Sequence, residues 1–154
     1  MYYGISKKKA FTLIEIMIVI ILLGILAAML LPYFRSPAED TTIASTKTDL
    51  QTVRFLLQLY RVQHSSIYPE NMDLMTTTTS VDGKKGTGPD YPYGPYIQAV
   101  PINQYLNKNT VLTVPSMTDS NPKDSSTGWY YNPTTGAFRA NVNMVVNGVA
   151  IGDL

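Results

Sequence analysis

Cysteine is missing from this 154-residue chain. Without a thiol there is no disulfide framework, no zinc ribbon and no cysteine nucleophile. Histidine is almost missing too, since His64 is the only one. A lone histidine where a helical pattern fades reads as a surface or capping residue. With no second His and no Cys beside it, it is a poor metal or catalytic group. No serine stands in a G-x-S-x-G setting, and the carboxylates are scattered over loops, so no catalytic constellation can be assembled. DGKKGTG at 82–88 has the glycines and lysines of a phosphate loop. It lacks the G-x-x-x-x-G-K-[ST] spacing and a strand–loop–helix frame, and reads as a connecting loop. An excess of one charge is also lacking: 12 Lys and Arg face 11 Asp and Glu. That balance offers no electrostatic grip on nucleic acid. The chain therefore reads as structural, not enzymatic.

What is present is one long apolar run, FTLIEIMIVIILLGILAAMLL at 11–31, with Glu15 as its only charge. As a helix, 21 residues extend about 31 Å at ~1.5 Å each, close to the ~30 Å hydrocarbon core of a bilayer. Lys7, Lys8 and Lys9 stand directly before the run. Positive charge on one flank holds that flank in the cytoplasm, so the remainder of the chain is expected outside. A secretory signal with Ala27-Ala28 as its cleavage site fits less well, because its apolar core would be shorter. Glu15 sits about one turn into the run. It is either a shallow carboxylate reaching headgroup water or one awaiting a cationic partner within an assembly. Gly24 and Pro32 prime the run to bend or melt: proline removes a backbone donor and clashes with the carbonyl of Ala28, and glycine adds local freedom.

KKKA followed by FTLIEIMIVIILLGILAAMLLPYF resembles the N-terminus of the type IV pilin-like family, and most of all the major pseudopilins of type II secretion systems. The resemblance implies a leader, residues 1–10, removed by a prepilin peptidase that cuts between Ala10 and Phe11 and N-methylates Phe11. Ala10 departs from the family's glycine. It implies that Glu15 pairs with the Phe11 amine of a neighbouring subunit, and that the segment holding Gly24 and Pro32 loses helicity in the filament. Expected partners are further copies of the chain, minor pilin-like subunits, the peptidase, the inner-membrane assembly platform and the membrane itself. The implied location is the bacterial inner membrane, single-pass with a cytoplasmic N-terminus, and a periplasmic or extracellular filament after assembly. Removing the leader takes 3 of 12 basic residues, leaving 9 against 11 acidic ones, a balance of −2. Missing cysteine tilts the resemblance from disulfide-closed adhesive pilins toward pseudopilins. A type IV pilus pilin stays open as an alternative, as does a membrane-tethered binding module with its specificity in loops 81–127.

The expected fold is α+β, pilin-like: a long N-terminal helix, apolar then amphipathic, packed on a small antiparallel sheet. The divisions are the leader 1–10, an assembly helix 11–35 and a globular part 36–154. Ser36-Pro37-Ala38-Glu39 supplies a cap, a proline at the first helical position and a capping box. An amphipathic helix follows over about 36–65. Ile43, Leu50 and Leu57, with Thr46, Val53 and Tyr60 between them, form its core stripe, while Lys47, Asp49, Arg54 and Arg61 lie off it. Over 66–154 come loops and antiparallel strands: a β-branched strand at 111–115, a hairpin at 128–142 with Pro early and Gly late in its turn, and a tight Asn147-Gly148 hairpin. Between the first two, Asp119 and Asp124 lie with Asn121, Ser125 and Ser126 in a polar stretch. Such oxygens suit a hard cation such as calcium, although the spacing is not an EF-hand and an ordinary solvated loop is the alternative. Secretion pseudopilins often hold calcium near this place.

Overall fold

The computed structural model describes residues 11–30 and 37–154. The chain falls into two compact units, Met1–Pro37 and Ala38–Leu154.

In the first unit the apolar run forms one helix, α1 (Leu13–Leu30). Thr12 starts it: its hydroxyl and carbonyl both accept the Glu15 amide, at 3.3 and 3.1 Å. The helix is apolar on all sides, and every large apolar side chain from Leu13 to Met29 is at least 46% exposed. At 18 residues it is about 27 Å long, a little short of the ~30 Å hydrocarbon core. Among the described residues no helix is long and apolar enough to cross a membrane; the last residue of the expected run, Leu31, lies outside them. α1 runs unbroken through Gly24, because one glycine in a helix of good formers costs only about 1 kcal/mol. The join expected at Pro32 and the cap at Ser36 lie outside the described residues, as does the leader with Ala10.

The second unit is built on α2 (Pro37–Gln63). Its expected stripe is its buried face: Ile43, Thr46, Leu50, Val53, Leu57 and Tyr60 are all buried. His64 extends the stripe and is 2% exposed, which overturns its reading as a surface residue. A three-stranded sheet covers this face, in the order β1 (Val111–Thr113), β2 (Trp129–Asn132), β3 (Ala137–Ala140). β2 and β3 form the expected antiparallel hairpin, with Trp129 opposite Ala140 and Tyr131 opposite Phe138. Gly136 makes its turn possible: φ is 77°, and a Cβ there would meet the Tyr68 ring at 2.3 Å. β1 pairs with β2 in parallel, so the sheet is mixed where an antiparallel one was expected. The polar stretch 114–128 is long enough to return the chain to the same end of the sheet, as a parallel pair requires.

Trp129, Tyr131 and Phe138 project from the sheet into one core with Leu50, Val53, Leu57 and Tyr60 of α2, closed by Met72, Met75, Val142 and Ile151. The Trp129 and Phe138 rings stack with centroids 5.2 Å apart. A separate hairpin, β4 (Val145–Val146) and β5 (Val149–Ala150), turns at Asn147 and Gly148. Both have positive φ, 49° and 81°, as the primed two-residue turn of an Asn-Gly pair requires.

Candidate functional site

The expected assembly residues on described chain are Phe11, Glu15 and Gly24. Phe11 precedes the helix and is 75% exposed. Glu15 lies in the first turn of α1, where the partial positive charge of the helix N-terminus favours a carboxylate. Its side chain is exposed, and among the described residues it enters no ion pair. An added Cβ at Gly24 would meet nothing within 4 Å, so this glycine is not demanded by packing within the subunit. The site is thus an apolar rod with one uncommitted carboxylate near its start. It can bury apolar surface against like surface, and it can accept an ammonium.

The two expected calcium carboxylates serve separate partners. Asp119 pairs with the Arg139 guanidinium at 3.0 Å and accepts the Thr135 hydroxyl at 3.2 Å. Asp124 Oδ1 accepts the Ser126 amide, the Ser126 hydroxyl and the Asn141 side-chain amide at 3.0, 2.7 and 2.7 Å. Those bonds, the Ser126 amide first, hold the Asp124 carboxyl below the usual carboxylate range. The carbonyls of Ser125 and Ser126 already receive a cation: Lys108 Nζ donates to them at 3.0 and 3.1 Å. Among the described residues no group of three or more His, Cys, Asp or Glu side chains is placed to hold a metal ion. The arrangement does not fit a bound calcium, because an ammonium stands on the loop carbonyls and a guanidinium engages Asp119.

Three positions whose side chains tie the globular unit together escaped the sequence reading. Lys108 is one. Arg54, placed among the solvent-side residues, instead anchors the hairpin: Nε donates to the Phe138 carbonyl at 2.9 Å and a terminal nitrogen to the Leu154 carbonyl at 2.5 Å. Burial lowers its pKa, the nearby Arg139 charge adds to that, and Asp119 opposes it. His64 is the third. Nδ1 lies 2.8 Å from the Tyr60 carbonyl, which can only accept, so Nδ1 carries the proton there. Nε2 lies 3.0 Å from the Thr79 hydroxyl, within hydrogen-bonding reach. The imidazole also stacks on Tyr60, centroids 3.7 Å apart. It therefore ties α2 to the loop that carries Thr79. The signal was present: His64 follows Leu57 by seven residues and Tyr60 by four, the next step of the buried stripe.

An apolar N-terminal helix with a first-turn carboxylate, and an α-on-β domain behind it, define the pilin-like class, and the chain resembles that class on both counts. The prokaryotic N-terminal methylation motif matches residues 5–31. Within the class the resemblance runs to type II secretion system core protein G. The Klebsiella pneumoniae protein of that name is 29% identical over 108 residues, covering 70% of this chain and 76% of the relative. The Pseudomonas aeruginosa protein is 29% identical over 66% of this chain and 70% of its own length. The Vibrio cholerae protein is 29% identical over 70% of this chain and 72% of its own. No solved structure matches the chain.

Proposed function

We propose that this chain is a structural subunit of a type II secretion pseudopilus, polymerising through its N-terminal helix in support of protein export. The observation that carries the reading is α1: apolar on every side, exposed throughout, with one carboxylate in its first turn. A helix of that kind is stable only inside a membrane or among other apolar helices. In this reading the apolar run anchors the precursor in the bacterial inner membrane, with 7–9 on the cytoplasmic side and the unit Ala38–Leu154 beyond it. A prepilin peptidase hydrolyses the Ala10–Phe11 bond and methylates the new Phe11 amine. The assembly platform then moves the subunit into a filament in the periplasm, where it meets copies of itself and minor pilin-like subunits.

Glu15 gives this polymer its register. A neighbour's Phe11 ammonium neutralises it in a low-dielectric core, where charges attract more strongly than in water. A subunit entering one step out of place buries the carboxylate unpaired, which costs about 3–5 kcal/mol. The apolar helices supply the cohesion and the charge pair supplies the selection.

Intact-mass analysis of protein from its own host tests the processing step. The mature chain should begin at Phe11 and carry one methyl group. A chain that keeps Met1, or that starts after Ala28, removes the pilin-like reading. Electron microscopy of cells overexpressing the chain tests assembly. Short filaments, and impaired secretion when the chain is lost, are the expected result; long surface fibres with secretion intact would move the protein to the type IV pilins.

A further inference from the structure

A cavity of about 300 Å³ opens beside the last turn of α2, walled by Tyr60, His64 and residues of the segments 65–74 and 81–83. Ile67, Leu74 and Val81 make its apolar side. Glu70 and Asp82 make its acidic side, and among the described residues neither carboxylate enters an ion pair or a hydrogen bond. Arg61, the cation of the adjoining helical turn, is turned to the Ser66 carbonyl and the Tyr68 hydroxyl at 3.3 and 3.4 Å.

Two surface carboxylates alone would be a solvated rim. The buried group in this wall is Tyr60. The residue is 2% exposed, yet its hydroxyl has no hydrogen-bond partner among the described residues. Nor is that hydroxyl sealed in the core, as the partnerless hydroxyls of Tyr105 and Tyr130 are. An added Cβ at Gly83 would lie 2.8 Å from the Tyr60 oxygen, so the oxygen stands beside a glycine that lines the same cavity. A buried tyrosine hydroxyl ordinarily finds a partner. Here it opens on the cavity instead, on the wall that carries the two free carboxylates.

We infer that this cavity binds a primary alkylammonium group, the chemistry of a lysine side chain or of a free diamine, with the ammonium on Glu70, Asp82 and the Tyr60 hydroxyl. An ammonium has three N–H donors and no acceptor, and the wall offers three acceptors, two of them charged. The methylene stem covers Ile67, Leu74 and Val81, as long amines bury their stems on apolar surface while the charge stays near water. A guanidinium suits the wall less, because its planar fork matches a single carboxylate. An anionic ligand is repelled by Glu70 and Asp82. The volume stands at the lower end for ligand pockets, about 300 Å³, room for one such group. The site lies wholly within the unit Ala38–Leu154 and does not depend on the filament reading.

His64 is the only histidine and lines the cavity, so its imidazole proton resonances report this site alone. The full chain in detergent micelles is titrated at fixed pH with Nα-acetyl-lysine amide, with its neutral isostere Nα-acetyl-norleucine amide, and with 1,5-diaminopentane. A saturable His64 shift with the two amines and none with the norleucine probe is expected. Tighter binding of the lysine probe assigns the ligand to a polypeptide side chain, and tighter binding of the diamine to a free amine. Tyr60→Phe keeps the ring and removes only the hydroxyl. Its melting temperature should match the wild type, since that hydroxyl serves no internal partner, while affinity for the lysine probe falls about fivefold. Glu70→Gln and Asp82→Asn should each weaken it about threefold, and the double variant should lose the shift. No shift with either amine overturns the inference. Equal shifts from the lysine and norleucine probes overturn it in favour of a merely apolar hollow. An affinity unchanged in both Tyr60→Phe and the double carboxylate variant overturns it too, because the amine is then held elsewhere. A Tyr60→Phe melt several degrees below wild type assigns the hydroxyl to the fold and overturns its role in binding.

Discussion

Replacing Lys108 by methionine removes the cation that the 114–128 loop already contains. The ammonium makes two hydrogen bonds, to the Ser125 and Ser126 carbonyls at 3.0 and 3.1 Å. Hydrogen bonds to a charged group contribute about 1.5–3 kcal/mol each. The lysine is half-buried and the Ser126 side is exposed, so water discounts both bonds and the pair together is worth about 1.5 kcal/mol. For a unit of this size about 4 °C of melting temperature corresponds to 1 kcal/mol, which places Lys108→Met about 6 °C below the wild type. Calcium should do nothing for the wild-type chain. If it were bound at 100 times its dissociation constant it would add about 2.7 kcal/mol, a rise of roughly 10 °C on the same scale. The two outcomes are well separated. Trp129 is the only tryptophan and is fully buried in the core, so its fluorescence follows unfolding of the full chain in detergent micelles. Superimposed wild-type melts in calcium and in chelator are expected. A chelator-dependent drop of several degrees, abolished by Asp124→Ala, would refute the assignment of Lys108 as the loop's cation.

Glu15→Leu should leave insertion and cleavage largely intact while filament yield falls, counted against equal amounts of cleaved membrane protein; wild-type yield would return Glu15 to the reading of a shallow carboxylate at the headgroups. Asp124→Asn tests an acid limb of stability. The folded carboxyl lies below the ordinary aspartate value of 3.8, so its contribution is complete above that pH and is lost as pH falls through the folded value. The wild-type advantage over Asp124→Asn should therefore be present at pH 7 and shrink on acidification below the ordinary aspartate value, as read by paired melts; a gap that stays constant through the acid range would contradict it. His64→Leu removes both ring bonds, costing about 1–3 kcal/mol. Limited proteolysis should then cut faster within 76–93, and an unchanged cleavage rate would show that His64 does not hold that loop.

The parts legible in the sequence were those set by neighbours along the chain. The apolar run and its lone Glu15 need only composition and the rise of a helix. The Ile43 to Tyr60 stripe needs only the helical period. The two hairpins were visible because turn chemistry is local: Asn147-Gly148 demands positive φ, and Gly136 ends a turn opened by Pro133. Even His64 was legible in principle, as one more step of the stripe, but a polar residue does not announce burial until its partners are known.

The tertiary structure alone decided the rest, because the deciding contacts join residues far apart in sequence. Arg54 reads as a solvent-side charge until the Phe138 carbonyl, 84 residues later, is placed beside it. Lys108 is one basic residue among twelve until the chain brings Ser125 under its ammonium. Periodicity gives each strand a face but not the direction of its neighbour, so parallel pairing of β1 with β2 had no local signature. The same holds for the oxygens around Asp119 and Asp124. Their composition suited a hard cation, and only the fold, by setting a guanidinium on one and serine donors on the other, committed them to the protein's own charges.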